Sequence, residues 1–222
     1  MQNPKSNSAS CETRLKLIEA AGEVFADSGF HNATIRQICE RAGANVAAVN
    51  YHFRDKAELY DAVLQYSHCA AEAAFAANQP PADAPPEERL QAFIRLTLLR
   101  ILDEGRPTWH GKLMTREMTE PSAALDKLVQ EAIKPRFKKL SGIVAELLGP
   151  GADQFTIEKC YNSVIAQCVF YHHCKPLLQR LEPDLSYDRE GIETLAQHIT
   201  RFSLVAIRGF RSELQTTAVA AV

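Results

Sequence analysis

Long apolar runs are missing from this 222-residue chain. Without a stretch of about eighteen apolar residues there is no membrane-crossing helix. The first ten residues, MQNPKSNSAS, contain no apolar leader segment and are polar enough to form a disordered arm. The chain is therefore expected in the cytoplasm, with no membrane partner. Strand-length alternation and hairpin turns are missing too, which leaves an all-α protein. The six cysteines (Cys11, Cys39, Cys69, Cys160, Cys168, Cys174) never fall as CxxC. In a reducing compartment they read mainly as small buried hydrophobes. No dinucleotide or Walker glycine pattern, nucleophile elbow or HExxH is present, so neither an enzyme nor a cofactor is expected. Positive charge is also short: 25 Lys and Arg against 27 Asp and Glu give −2 overall. Residues 1–60 balance seven against seven, with Lys5, Arg14, Lys16, Arg36, Arg41, Arg54 and Lys56 against Glu12, Glu19, Glu23, Asp27, Glu40, Asp55 and Glu58. Bulk attraction to a polyanion is thereby excluded. Any DNA reading must rest on where charges sit and on helix N-termini.

What is present is helical periodicity. Between Ala33 and Tyr60 the chain reads ATIRQICERAGANVAAVNYHFRDKAELY. Apolar residues at Ile35, Ile38, Cys39, Ala42, Val46, Val49 and Phe53 recur at three- and four-residue steps. They predict a helix over 34–41, a turn at Ala42-Gly43-Ala44 and a second helix over 45–51. Thr34 with Gln37 forms a capping box, Asn45 caps the second helix, and Asp55 with Glu58 caps a third. Two short helices about a glycine turn make a helix-turn-helix, whose second helix fits the DNA major groove. Ala48, Val49 and Phe53 are assigned to the inward face.

The rest continues the pattern. Residues 12–28 carry Leu15, Ile18, Ala21, Val24 and Phe25 and stop at Gly29. A long helix covers 55–77, and NQPPADAPP breaks the chain. Further helices are expected from Pro85 to Gly105, over 107–118, over 122–148 with a bend at Pro135, over 155–180 and over 188–214. The expected division is a disordered arm 1–10, a three-helix DNA-binding domain 11–60, a larger helical-bundle domain 61–214 and a flexible tail 215–222. The last two long helices are apolar on most sides and must be buried in a core or against a second copy. A four-helix homodimer interface is the expectation, and burial within one monomer is the alternative.

The helix-turn-helix and its flanks resemble the TetR-type transcriptional regulators over roughly residues 12–62. The resemblance rests on Ala33-Thr34-Ile35, Arg41-Ala42-Gly43, His52-Phe53 and Asp55-Lys56 through Leu59. The second half is similar to the CecR-like C-terminal domain of regulators tied to drug sensitivity. That similarity lies in Met114, Arg116-Glu117-Met118, Glu120-Pro121-Ser122, Pro135, Leu147-Leu148-Gly149, Ala196 and His198-Ile199-Thr200. The resemblance implies a homodimeric repressor on a palindromic operator, released when a small-molecule effector enters the C-terminal domain. It also implies DNA contacts: Thr34 as cap and phosphate contact, Asn45, Val46, Ala47 and Asn50 at base edges, and Tyr51, His52 and Lys56 at phosphates. Arg36 is a further DNA-contact candidate, with a merely solvated side chain as the alternative for it and for Arg54. The chain departs from the family in having Asn50 where Tyr is usual, a Tyr at the variable position 51, and Val46 at a position that is often polar.

Phe93, Leu96, Trp109, Met114, Met118, Cys168, Tyr171 and His172 are candidates to line an effector cavity, or else are core. Arg116 and Glu117 are candidates to bind a polar ligand or to form surface pairs. Cys168, His172, His173 and Cys174 raise a metal site, but too few share a face for tetrahedral ligation, and no metal is expected. A helical small-molecule-binding protein without operator binding, or a metal or thiol sensor, are the alternative functions.

Overall fold

The computed structural model describes residues 4–75, 79–102 and 109–220, and within these the side chains of 10–67, 79–102 and 109–216. Among the described residues every regular element is a helix. None of these helices is long and apolar enough to cross a membrane. The chain divides into two compact units, Met1–Ala73 with Arg106–Ala132 and Ala74–Gly105 with Ile133–Val222.

The first unit holds α1 (Pro4–Asn32), α2 (Ile35–Ala42), α3 (Val46–His52), nearly all of α4 (Lys56–Phe75), α6 (Trp109–Thr119) and α7 (Ala124–Leu128). Its core gathers Leu17, Ile18, Phe25, Ile38, Val49, Phe53, Leu59, Tyr60, Trp109 and Leu113. Leu15, expected inside, is exposed, and Leu17 takes the interior position. The two lie about 200° apart on a helical wheel, so only one can face inward. The division also differs from the expected one, because Trp109 and Leu113 of α6 bury against α1. A Cβ at Gly22 would lie 2.5 Å from the Trp109 ring. Only a bare backbone lets the indole approach so closely. Residues 4–10, expected in a disordered arm, are helical. A polar stretch can prolong a helix already nucleated, one hydrogen bond at a time, without burying anything.

The second unit holds α5 (Pro86–Leu102), α8 (Lys134–Leu148), α9 (Gln154–His173), α10 (Lys175–Leu181) and α11 (Arg189–Ala220). Leu90, Ile94, Leu98 and Leu102 recur every fourth residue on α5 and meet Leu140, Val144, Val164, Ile192 and Ile199 in one core. Arg95 donates to Glu193 at 2.6 Å, tying α5 to α11. The single helix expected over 155–180 is broken at Cys174, since Pro176 cannot donate the backbone bond that would continue it. Pro135 acts similarly: the turn before it, Val129–Ile133, widens into a π-helical one. α11 runs to Ala220, through most of the expected flexible tail.

Candidate nucleic-acid interface

Local hydrogen bonds fix both helices of the helix-turn-helix. Thr34 Oγ1 accepts the Gln37 N–H at 3.2 Å, and Gln37 Oε1 accepts the Thr34 N–H at 2.9 Å. The capping box expected for α2 is complete. α2 closes on Gly43 at φ 61°, ψ 33°. This left-handed conformation is one a Cβ disfavours. Asn45 Oδ1 accepts the Ala48 N–H at 2.9 Å and starts α3. Asp55 Oδ1 accepts the Glu58 N–H at 2.9 Å and starts α4, while Glu58 Oε2 accepts the Arg54 N–H at 3.2 Å.

These caps orient α3. Val49 and Phe53 are buried and Ala48 packs against the same core. Asn45, Val46, Ala47, Asn50 and Tyr51 face outward, Val46 at 48% exposure and Tyr51 at 78%. Thr34 and Arg36 are exposed on α2, and His52 is half-buried with its ring edge-on to Tyr51 at 4.9 Å. An apolar or aromatic side chain this exposed on a short helix has a surface that water serves poorly and a partner can cover.

The cations around α3 differ in how they are held. Lys56 Nζ donates to the carbonyls of Phe30 at 2.8 Å, Ala33 at 3.0 Å and His31 at 3.3 Å, and lies 4.7 Å from the centre of the Phe30 ring. All three N–H bonds of this ammonium are engaged inside the chain, where a phosphate anchor was expected. Lys56 thus ties down the turn that follows the break in α1 at Gly29 (φ 75°, ψ 167°), where a helix stop was expected, and fixes the path into α2. Arg36 pairs with Glu40 at 2.9 Å, and Arg54 with Asp55 at 3.5 Å. Both pairs are exposed, so they are weak and readily exchanged for phosphate oxygens. Arg14 was missed by sequence reasoning. Its guanidinium lies 5.1 Å over the Phe53 ring, beside the end of α3. No periodicity in α1 signals that role; only the fold brings the two together.

A buried carboxylate holds this arrangement from behind. Glu117 of α6 is 1% exposed. It accepts from Tyr60 Oη at 2.5 Å, from the Ser122 N–H at 2.9 Å and from Ser122 Oγ at 2.8 Å. Burial, and then Glu117 itself, push the Tyr60 hydroxyl well above its usual pKa, so it stays a donor. The Tyr60 ring packs edge-on against Phe25 at 4.7 Å and tilted against Phe30 at 5.0 Å. Glu117 is therefore neither a surface-pair residue nor an exposed ligand contact. Its acceptors lock α4 against α6, and through Phe30 and Lys56 they brace the start of α2.

The eight effector candidates are not assembled in one compact unit. Trp109 and Met114 pack in the first unit's core, and Met118 of the same unit is 48% exposed. Phe93, Leu96, Cys168, Tyr171 and His172 belong to the second. Phe93 and Tyr171 pack on its core, and Leu96 and Cys168 are buried. Burial pushes the His172 imidazole down, against a bond to the Ile101 backbone that favours the charged form. Burial also pushes the Cys168 thiol up to about 12, which suppresses thiolate chemistry. No group of three or more His, Cys, Asp or Glu poised for a metal occurs among the described residues. Sequence reasoning passed over Tyr187, which is 7% exposed; among the described residues its hydroxyl is a buried polar atom with no hydrogen-bond partner. Lys175 Nζ lies 4.7 Å from the centre of the same ring, so this unpaired hydroxyl sits beside charge, where a polar group of a ligand can meet it.

A capped helix-turn-helix with a bare outer face, joined to a separate helical unit, is the build of a DNA-binding regulator. Comparisons with known proteins agree. The family model for bacterial regulatory proteins of the tetR family matches residues 17–63. The model for the C-terminal domain of the HTH-type transcriptional dual regulator CecR matches residues 86–207. The CecR protein of Shigella flexneri is 27% identical over 211 residues, covering 90% of this chain and 93% of that protein. The HTH-type transcriptional activator FasR of Mycolicibacterium smegmatis is 48% identical over 54 residues, 24% of this chain and 25% of FasR. Among solved structures, a tetR-family regulatory protein from Rhodococcus RHA1 shares the fold, with a TM-score of 0.65 at 19% identity, over 88% of this chain and 96% of that one. The chain belongs to the TetR family of bacterial transcriptional regulators, with a C-terminal domain of the CecR type. It is a DNA-binding regulator of transcription.

Proposed function

We propose that this regulator is a repressor that binds a palindromic operator in the cytoplasm as a homodimer and leaves it when a small-molecule effector binds the second unit. The outward face of α3 carries the reading. Val46, Ala47, Asn50 and Tyr51 are presented together on a helix whose ends are fixed by side-chain caps. Thr34 and Arg36 flank them, and Arg14 and Arg54 are added as backbone contacts. Lys56 is given a positioning role.

Dimerisation is supported by the second unit's uncovered apolar face. Phe155 and Phe170 on α9 and Phe202, Val205 and Phe210 on α11 are each between 46% and 66% exposed. A Phe side chain carries roughly 200 Å², so these residues offer roughly 500 Å² per copy. A standard interface needs about 800 Å² per partner. A cavity of about 410 Å³ between α9 and α11, floored by Cys160, Val164 and Ile207, gives a facing helix a place to seat. Gly209 lies in the same stripe, and a Cβ there would meet nothing within 4 Å.

A two-fold pair places two α3 helices at half-sites about 34–36 Å apart. The effector acts only to the extent that it binds one spacing better than the other. α4 is the lever, since the chain passes from the first unit to the second within it. Phe93, Tyr171, His172 and Tyr187 are the second-unit groups offered to the effector. The test is binding of full-length protein to the promoter of its own gene, with mass measured by light scattering. Wild type is expected to be a dimer that retains the duplex. Gly209→Glu is expected to be a folded monomer with weakened operator binding. A dimeric Gly209→Glu protein, or a wild type without affinity for any palindromic duplex, refutes the proposal.

A further inference from the structure

Resting on the reading that α3 enters the major groove, we infer that the base steps beneath α3 in each half-site are A·T pairs, recognised by thymine methyls and one adenine. The seven residues of α3 are Val-Ala-Ala-Val-Asn-Tyr-His. They include no Arg or Lys, the side chains that most often pair with guanine O6 and N7, and no Asp or Glu to accept from cytosine N4. On the outward face Val46 and Ala47 offer only carbon. The one complementary feature in the groove is the C5-methyl of thymine.

The two asparagines are not equivalent. Asn45 Oδ1 accepts the Ala48 N–H at 2.9 Å, so its amide is held over the first turn of α3 as a cap and is not free to turn its oxygen and nitrogen together onto an adenine edge. Asn50 is exposed one turn further on. It is the residue placed to take adenine N6 and N7 together. The flanking cations do not alter this assignment. Arg36 lies on α2 and pairs with Glu40, and Arg54 follows α3 and pairs with Asp55. A guanine read by Arg36 falls at the margin of the half-site, outside the steps beneath α3.

The experiment is selection of duplexes from a random library by the full-length wild-type protein, followed by atom-level substitution in the selected site. The expected half-site contains consecutive A·T pairs. Replacing the thymine under Val46 with deoxyuridine removes one methyl and weakens wild-type binding about 4-fold. Val46→Ala is weaker at the outset and insensitive to that replacement. Substituting 7-deazaadenine for the adenine under Asn50 costs about 5- to 150-fold, and Asn50→Ala abolishes the difference. A selected half-site with G·C pairs beneath α3, or equal methyl dependence in wild type and Val46→Ala, overturns the inference while leaving operator binding intact. Failure to enrich any duplex sinks the operator reading and this inference with it.

Discussion

Truncating Glu117 to Ala is the perturbation that most directly tests the brace behind the helix-turn-helix. The carboxylate is 1% exposed and accepts three hydrogen bonds, from Tyr60 Oη and twice from Ser122. Bonds to a charged acceptor contribute about 1.5–3 kcal/mol each, but the desolvation of a buried carboxylate offsets part of that sum. Removing it strands the buried Tyr60 hydroxyl and opens a void. Breaking such a buried set costs about 3–5 kcal/mol. Glu117→Gln keeps the volume. Its oxygen still serves Ser122, and its amide can donate to Tyr60 Oη, so about 1–2 kcal/mol is lost with the charge. The chain has a single tryptophan, Trp109, buried in the first unit. Urea unfolding followed by its fluorescence therefore reports on this unit. With a slope of about 2 kcal/mol/M, the Ala variant should unfold roughly 1.5–2.5 M earlier than wild type and the Gln variant less than 1 M earlier. A Glu117→Ala midpoint within 0.5 M of wild type (on the order of 1 kcal/mol), or lower stability for Gln than for Ala, would refute the account.

Three further outcomes follow from the same geometry. Lys56→Met loses the three carbonyl bonds in the turn after Gly29 and should lower stability by about 1–3 kcal/mol. The salt dependence of its operator affinity should match wild type, whereas Arg14→Ala should flatten the log–log slope by about 0.9; a flattened slope for Lys56→Met would show a phosphate contact. Asp55 is held below the usual carboxylate range, first by the Glu58 backbone N–H and then by Arg54. Because the folded-state pKa is the depressed one, its cap stabilises the protein above about pH 4 and is lost as pH falls through the folded value. Asp55→Asn should make the acid limb of a thermal-stability profile shallower, and an unchanged limb argues against the cap. Iodoacetamide at pH 8 should alkylate exposed Cys11 and spare Cys168, as read by mass spectrometry. Equal labelling of the two would contradict the buried, protonated thiol.

Much of the candidate interface was legible in the residues because its signals are local. A cap acts within three residues and a left-handed turn within one. Thr34 with Gln37, Gly43, Asn45 and Asp55 with Glu58 therefore announce α2, α3 and α4 in one dimension. The inward assignment of Val49 and Phe53 needs only the 3.6-residue period. Likewise the four-residue repeat of α5 gives its buried face. Proline positions 135 and 176 were visible, but a missing N–H can bend, widen or break a helix. Which of these happens depends on the packing that compensates it.

The sequence by itself determined the helical class, the capped helix-turn-helix and the outward set on α3, since each depends on neighbours within about one helical turn. Tertiary structure alone decided that Lys56 holds the turn after Gly29, that Arg14 lies over Phe53, that Trp109 seats on Gly22 and that Glu117 is buried against Tyr60. Each of these pairs is distant in sequence. A charged or aromatic side chain does not itself show whether it will meet water, a carbonyl or a ring. Only the closing of one helix on another removes the water and makes that choice.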